Sequence, residues 1–181
     1  MIVAAALPLV AEHGAKVTTS RIARAAGIGE GTIFRVFADK NELLDAVLAE
    51  TVRPDHVVRR IAAIPLDLPL EQRLAQAADA LSAHLDRIGA VVGALHASGH
   101  RGRGRQQPPQ GAREASMAAV RGAIARLFGP GDRLRVSGEQ AAALFLGLLF
   151  TRPRTGEEVS LETSELVAVF LHGALAGADG A

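Results

Sequence analysis

The sequence contains no cysteine, tryptophan or tyrosine, and aromatic residues make up only 3% of its 181 positions. Without cysteine the chain can form no disulfide, thiolate metal site or cysteine nucleophile, as is common in a reducing compartment. Its formal net charge is only +1, so overall charge does not indicate a nucleic-acid partner. We therefore expect a cytoplasmic protein whose function must be sought in local patterns.

The sequence also lacks a hydrophobic run long enough for a membrane. Its longest apolar stretch, residues 141–150, falls well short of the ~20 residues that a spanning helix needs. The apolar residues 2–10 have no basic segment before them and are followed by Glu12, His13 and Lys16, which argues against a secretory signal. We expect no membrane partner.

Helical periodicity is what the sequence does contain. Hydrophobic residues make up 49% of it, and no alternating run rich in β-branched residues predicts a strand. A spacing of three or four connects Leu70, Leu74, Ala77, Leu81, His84, Ile88, Val91 and Leu95, and likewise Met117, Val120, Ile124, Leu127 and Phe128. The predicted fold class is all-α.

Proline and glycine divide the chain into helical segments. Pro54 interrupts one such segment, and Pro65 and Pro69 enclose a short linker. Residues 98–111 are crowded with Gly, Pro and Arg and have no apolar period, which predicts a solvated loop. Residues 129–131 predict a further break before the last two helices.

Two strongly apolar helices are predicted near the end of the chain. Ser137 followed by Gln140 has the form of a capping box and opens the first, residues 138–150. The second covers residues 166–175. Both are apolar on more faces than a surface helix needs, so we expect them to pair with their symmetry mates in a homodimer.

The most informative stretch of the sequence encodes two short helices in succession. Thr18 is a good N-cap and Gly27 a good terminator, which predicts a helix between them. A second helix is predicted over residues 30–37, and small Ala25 and Ala26 would let the two axes approach closely. Two short helices joined in this way form a helix-turn-helix.

The charges around this motif have to be located one by one, because the first 50 residues contain five basic side chains against six acidic ones. The basic residues are Lys16, Arg21, Arg24, Arg35 and Lys40. Asp39 and Glu42 are predicted to cap a third helix with Lys40 in its first turn. A cation gains nothing from the helix dipole there, so a phosphate partner explains it better.

This pattern resembles the DNA-binding signature of the TetR family of bacterial transcription regulators. The matching positions are Thr18, Ile22, Ala23, Ala26, Gly27, Ile28, Gly31, Thr32, Ile33, Phe34, Phe37, Lys40 and Leu43, preceded by a helix ending in Glu12, His13 and Gly14. They cover roughly the first quarter of the chain. The resemblance implies a DNA-binding domain over residues 1–50 and a ligand-binding and dimerisation domain over residues 51–181.

The resemblance also implies which residues contact a double-stranded DNA operator. Phosphates would be contacted by Thr18, Thr19 and Ser20, at the beginning of the first of these two helices, and by Thr32, Phe34 and Lys40. Base edges would be faced by Glu30, Gly31 and Arg35. Phe34 replaces the family's usual tyrosine, Val36 replaces a second common aromatic, and Glu30 occupies a position that is often basic.

A small organic effector is the second partner that the resemblance implies. The candidate ligand-binding residues on the long helix are His84, Arg87, Ile88, Val91, Val92 and Leu95. With no tryptophan or tyrosine available, the site would suit a hydrophobic or amphipathic molecule. Its binding would move residues 53–64 and release a palindromic operator, as expected of a one-component repressor.

Two alternatives belong to other functional classes. The acidic balance near the N-terminus also fits a helical small-molecule-binding or scaffold protein with a degenerate DNA head, that is, an N-terminal helix-turn-helix that no longer binds DNA. A helical-bundle enzyme would need clustered carboxylates and histidines, and no such motif occurs, so we expect no enzyme activity and no cofactor. His96 and His100 lie beside Arg101 and Arg103, cations that would repel a metal, so we expect no metal site.

Overall fold

Helices account for the regular structure of residues 1–100, 111–151 and 161–173, the part of the chain that the computed structural model describes. No strand occurs among these residues, and the predicted all-α fold class is confirmed. The helices are α1 (Ile2–His13), α2 (Thr19–Ala25), α3 (Glu30–Val36), α4 (Lys40–Thr51), α5 (Asp55–Ala62), α6 (Leu70–Ala97), α7 (Ala112–Ala125), α8 (Gly138–Thr151) and α9 (Thr163–His172), with a 3₁₀ helix at Gly14–Lys16. None of the described helices is both long and apolar enough to cross a membrane.

The helix ends follow local capping signals, most of which the sequence predicts. The Thr18 hydroxyl accepts a hydrogen bond from the Arg21 amide at 3.2 Å and begins α2, while Gly27 follows its end at φ 67°. The predicted capping box is present, because Ser137 and Gln140 each accept from the other's backbone amide, at 3.2 and 3.0 Å. These caps fix the positions at which α2 and α8 begin.

Other helix limits differ from the predicted ones by a few residues. The last helix begins at Thr163 rather than residue 166, because Glu162 and Glu165 form a second capping box that extends it. The recognition helix α3 ends at Val36 rather than Phe37, whose backbone is already extended. Such differences at helix ends leave the order of the helices unchanged.

The predicted breaks lie between helices. Pro54 separates α4 from α5, Pro65 and Pro69 separate α5 from α6, and residues 129–131 separate α7 from α8. Most of the predicted loop over residues 98–111 lies outside the described residues. The breaks that are described therefore have the positions that proline and glycine predict.

The chain divides into two compact units. The first consists of Met1–Arg53 and Ala83–Ala112, and the second of Pro54–Ser82 and Arg113–Ala181. Helix α6 contributes its beginning to the second unit and its end to the first. The predicted division near residue 50 assigns DNA binding and ligand binding to separate parts of the chain, and that assignment stays a prediction.

The core of the first unit is aliphatic and joins α1–α4 to the end of α6. Ile22, Ile33 and Val91 are completely buried in it. Ala25, which we expected between α2 and α3, is exposed, and Ala23 is buried instead. The reason is the 100° turn per residue of an α-helix, which places residue 25 on nearly the opposite face from residue 23.

Gly14 marks the closest approach of backbones in the first unit. It is buried with φ 57° and ψ −142°, and a Cβ there would overlap the backbone carbonyl of Ala94 on α6. Next to it, the Ala15 amide donates to the Ser98 hydroxyl at 2.7 Å, and that hydroxyl donates to the Ala94 carbonyl at 2.6 Å. A backbone in this conformation requires glycine, so one residue determines how closely α6 can pack here.

The second unit combines a larger apolar core with one buried ion pair. Phe145 is fully buried, and its ring lies 5.1 Å from that of Phe170 in an edge-on arrangement. The Arg73 side chain is 6% exposed and contacts both carboxylate oxygens of Asp132 at 3.0 Å, while also donating to the Leu127 carbonyl. The ion pair therefore connects α6 to the chain just after α7.

Candidate nucleic-acid interface

The helix-turn-helix is formed by α2 and α3 with a short turn between them. Ile22 and Ala23 on α2 and Ile33 on α3 are buried, so these side chains hold the two helices on the core of the first unit. The turn closes with the Ile28 amide donating to the Ala23 carbonyl at 3.0 Å. The outer faces of both helices are thereby presented to solvent in a fixed relation to each other.

All nine residues predicted to contact DNA lie at the surface. Those that are exposed are Thr18, Ser20, Glu30, Gly31, Phe34 and Arg35, and those that are half-buried are Thr19, Thr32 and Lys40. The buried neighbours of these residues are the apolar ones, as an amphipathic helix pair requires. The structure thus brings the predicted residues to one motif, and their contacts with DNA stay a prediction.

Two large apolar side chains of α3 are left outside the core. Phe34 is 50% exposed and Val36 is 58% exposed, whereas Ile33, which directly precedes Phe34, is fully buried. Folding of the first unit does not require these two side chains to be apolar. Exposed apolar groups on a recognition helix can contact thymine methyl groups or the sugars of a nucleic acid.

Five of the six acidic side chains of the first 50 residues have hydrogen-bond or ion-pair partners within the chain. The partners are Thr19 for Glu30, the Glu42 amide for Asp39, the Ala38 amide for Glu42, His100 for Asp45 and Arg53 for Glu50, while Glu12 is exposed. Two of these contacts lie at the beginning of α4, where backbone amides stabilise a carboxylate. The acidic balance of this segment therefore reflects local structure.

The arginines of the same segment are arranged differently. Arg21, Arg24 and Arg35 are exposed, and no partner within the described residues binds their guanidinium groups. Similar numbers of basic and acidic side chains are thus compatible with an uneven surface, since most of the carboxylates have internal partners and these three guanidinium groups do not. Available guanidinium groups suit phosphate and guanine, both of which accept two hydrogen bonds side by side.

Lys40 and Thr19 have internal partners that the sequence did not predict. The Lys40 ammonium donates to the Ala15 carbonyl at 2.6 Å, which explains its position without a phosphate, although an ammonium has three protons to donate. The Thr19 hydroxyl donates to the Glu30 carboxylate at 2.5 Å. Both partners are more than ten positions away along the chain, and no local pattern points to them.

A histidine and a carboxylate form another distant pair in the first unit. His100 follows the end of α6, its side chain is only 6% exposed, and its Nε2 lies 2.9 Å from Asp45 on α4. This contact joins the chain after α6 to α4, and neither residue belongs to the two helices of the helix-turn-helix. Among the described residues, no group of three histidines, aspartates or glutamates could hold a metal ion.

The six candidate ligand-binding residues all lie on the part of α6 that belongs to the first unit. Val91 and Leu95 are buried and pack with Val10 and Val47 in its core. His84 is 8% exposed, Arg87 and Ile88 are half-buried, and Val92 is 37% exposed. Two of the six therefore contribute to the core of this unit, and a ligand role for any of them stays a prediction.

These features define a class, the all-helical regulators that carry an N-terminal helix-turn-helix for DNA. Residues 2–47 match the model of a family described as bacterial regulatory proteins, tetR family. Residues 2–47 are therefore similar to this TetR family, and the resemblance in the first quarter of the sequence is confirmed. No curated protein matches the sequence.

Solved structures share the fold over nearly the whole chain. A TetR/AcrR-family regulator from Thermobifida fusca superposes with a TM-score of 0.57 at 21% identity, covering 97% of each chain. The TetR-family regulator PfmR from Thermus thermophilus gives 0.50 at 15% identity over 97% of this chain and 99% of its own. The fatty acid degradation regulator FadR from Bacillus halodurans gives 0.51 at 18% identity over 95% and 97%.

Proposed function

We propose that the protein binds a palindromic DNA operator as a homodimer and represses transcription until a small effector releases it. The observation that carries the DNA step is the segregation at the helix-turn-helix. Arg21, Arg24 and Arg35 are exposed without internal partners among the described residues, while five of the six carboxylates of the first 50 residues have partners in the chain. Such a surface attracts phosphate and offers donors to base edges.

Selection from a random duplex library tests this step. The wild-type protein is expected to enrich a two-fold symmetric sequence whose binding weakens steeply with salt. Arg35→Ala, which removes a donor suited to guanine, is expected to reduce affinity for that sequence about 10- to 100-fold. Arg113→Ala on α7 is the control, since it removes another exposed arginine outside the helix-turn-helix.

A library that yields no enriched sequence at low salt would contradict DNA recognition. The protein would then be better described as a helical ligand-binding or scaffold protein with an inactive DNA head. A salt-sensitive complex without sequence preference would also contradict the operator, because counterion release alone gives nonspecific binding.

The dimer is supported by apolar side chains that the second unit leaves in solvent. On α8, Leu144 is 59% exposed and Leu148 is 38% exposed, one turn apart, and Gly147 beside them leaves room for a neighbouring helix. Phe150 at the end of the same helix is 40% exposed. A monomer rarely exposes such a row, whereas an isologous interface would cover it.

Leu144→Lys tests the interface against a closely matched control. Leu66 lies in the linker after α5 and is 60% exposed, so Leu66→Lys makes the same chemical change at equal exposure. We expect Leu144→Lys to convert a dimer into a monomer in sedimentation at micromolar concentration and Leu66→Lys to leave it unchanged. A wild-type monomer, or equal behaviour of the two variants, would contradict the proposed interface.

The effector is the least constrained part of the proposal. Two proteins of this fold with solved structures, from Bacillus halodurans and Clostridium perfringens, are described as regulators of fatty acid degradation and fatty acid metabolism, and a hydrophobic or amphipathic effector would suit this chain as well. Within α6, Arg87, Ile88 and Val92 retain exposed surface that a ligand could contact. We propose that residues 53–64, which begin at the boundary between the units, move when the effector binds and so change the DNA affinity of the helix-turn-helix.

Linkage tests the effector step. A series of acyl chains from hexanoate to palmitate would be titrated against the protein, first alone and then with its selected operator bound. A chain that binds should bind more weakly to the operator complex, by the same factor by which it weakens the operator. Binding of an acyl chain with no mutual effect on operator affinity would contradict release by such an effector, and no binding across the series would contradict this class.

A further inference from the structure

A hydrogen bond joins the two helices of the helix-turn-helix on their outer side. The Thr19 hydroxyl, on the first residue of α2, donates to the Glu30 carboxylate on the first residue of α3 at 2.5 Å. Glu30 is exposed and Thr19 half-buried, so the bond lies at the surface predicted to meet DNA. It holds one carboxylate in a defined place beside residues that would otherwise bind phosphate.

The bond changes what Thr19 can do. A threonine hydroxyl has a single proton, and a phosphate oxygen can only accept one. While Thr19 donates to Glu30, its side chain has no proton left for the DNA backbone, and the neighbouring negative charge opposes phosphate. The phosphate role that the family resemblance implies for Thr19 therefore conflicts with this contact.

A carboxylate also limits what Glu30 can recognise. An ionised carboxylate only accepts hydrogen bonds. In the major groove, cytosine and adenine offer an exocyclic amino group, whereas guanine offers only acceptors and thymine an acceptor and a methyl group. A fixed carboxylate on a recognition helix thus favours the first two bases and disfavours the others.

We propose that Glu30 is a specificity-determining residue that accepts a hydrogen bond from the amino group of cytosine or adenine in each operator half-site, and that Thr19 is its positioning residue. The inference rests on the proposed function, since it concerns the same DNA surface. Two residues of α3 would then have opposite roles at base edges, because the Arg35 guanidinium donates hydrogen bonds and the Glu30 carboxylate accepts them. Removing the amino group of that base should accordingly weaken binding at one position of each half-site.

Library selection with two variants and a control tests the assignment. The wild-type protein should enrich one base pair at one symmetric pair of positions, and the cytosine or adenine of that pair is the base that Glu30 contacts. Glu30→Ala should lose about tenfold of the discrimination at those positions only, since a good side-chain contact to a base supplies about this factor or more. Thr19→Val should weaken discrimination at the same positions, because the carboxylate is no longer held.

The control distinguishes a positioning role from a backbone contact. Ser20 is exposed and adjacent to Thr19, and Ser20→Ala should lower affinity for all sequences alike without altering any base preference. A uniform loss of the same kind in Thr19→Val would overturn the positioning role. Circular dichroism and melting of each variant ensure that an altered preference is not caused by unfolding.

The outcomes separate this inference from the proposed function. If the wild-type protein enriches an operator and Glu30→Ala enriches the same operator with unchanged preferences, Glu30 contacts no base and the inference is wrong while the function stands. If the wild-type protein enriches nothing, the proposed function fails first. Every base pair presents one amino-bearing base in the major groove, so the affected pair is rebuilt with purine in place of adenine or 2-pyrimidinone in place of cytosine, which lack the amino group. Unchanged binding of the wild-type protein to that duplex would also overturn the inference.

Discussion

The two compact units are stabilised by different means. The first has an aliphatic core and is fastened by contacts between residues far apart in sequence, namely Gly14 against Ala94, Ala15 with Ser98 and Asp45 with His100. The second has a cluster of three phenylalanine rings and a buried ion pair between Arg73 and Asp132. The first unit therefore depends on close backbone fit, and the second on apolar packing.

The surfaces of the two units differ in a corresponding way. In the first unit the exposed face of the helix-turn-helix carries hydroxyl and guanidinium groups beside Phe34, whereas in the second unit α8 exposes Leu144 and Leu148. A polar face with a few apolar groups suits a hydrated nucleic acid, and a row of leucines suits another protein surface. The comparison suggests that mutations should affect the units through different physical terms.

The largest effect is expected where the backbone fit of the first unit is broken. Gly14→Ala forces a side chain into a conformation reserved for glycine and into the Ala94 carbonyl, so we expect a loss of about 4 kcal/mol in the free energy of unfolding. Gly27→Ala is the control: its φ is 67°, but a Cβ there meets nothing within 4 Å. It should cost only about 1 kcal/mol, from the backbone alone.

Urea denaturation measures both glycine variants. Similar losses for the two would mean that the strained φ alone matters and that α6 can yield to a side chain at residue 14. The first unit would then not depend on close backbone fit, and it would not differ from the second unit in this respect.

The second-largest effect is expected at the ion pair of the second unit. Asp132→Asn keeps the shape of the side chain but leaves the Arg73 guanidinium, 6% exposed, without its countercharge, at a cost of about 3 kcal/mol. Glu139→Gln is the matched control, because Glu139 pairs with Arg121 at 3.3 Å while both side chains are largely exposed. It should change the free energy of unfolding by less than about 0.5 kcal/mol.

Chemical denaturation followed by circular dichroism distinguishes the two carboxylates. If Asp132→Asn is as mild as Glu139→Gln, water or a shift of the loop compensates the buried charge, and the pair contributes little. The second unit would then rely on its apolar core alone.

These contacts also indicate how far the sequence could predict the structure. Residues that act within one turn of a helix were predictable, including Thr18 as an N-cap, Gly27 as a terminator and the capping box of Ser137 with Gln140. The period of α6 was equally clear. Each of these signals involves residues at most four positions apart, where helix geometry fixes which groups meet.

Contacts between distant residues had no such signal. The bonds from Lys40 to Ala15 and from Thr19 to Glu30 depend on how helices pack, which no local spacing encodes. The candidate DNA surface was nevertheless predictable, because its residues share one motif. The internal partners of these residues were not predictable, and the Lys40 ammonium, for which we expected a phosphate, donates to a backbone carbonyl of the chain.

A smaller effect is expected from the polar contact beside Gly14. Ser98→Ala removes the acceptor of the Ala15 amide, a partly buried donor, and should cost about 1 to 2 kcal/mol in the free energy of unfolding. Ser116→Ala is the control, since Ser116 is also half-buried but lies within α7, where alanine favours the helix. Urea denaturation should show a loss for the first variant and none for the second, and an unchanged Ser98→Ala would mean that solvent satisfies the amide.

Substitution of Phe34 is expected to have the smallest effect on stability but a measurable effect on DNA binding. Its ring is 50% exposed, so Phe34→Tyr adds a hydroxyl without burying it and should leave the free energy of unfolding within about 0.5 kcal/mol of the wild type. If the ring lies against the DNA backbone, the new hydroxyl can donate to a phosphate and strengthen binding about fivefold, the value of one hydrogen bond. Because phosphates are the same in every sequence, the gain should apply equally to the selected operator and to a scrambled duplex, measured by fluorescence anisotropy at fixed salt. A gain for the operator alone would place Phe34 at a base instead, and a loss of affinity would mean that the exposed ring contacts an apolar part of the DNA that a hydroxyl disturbs.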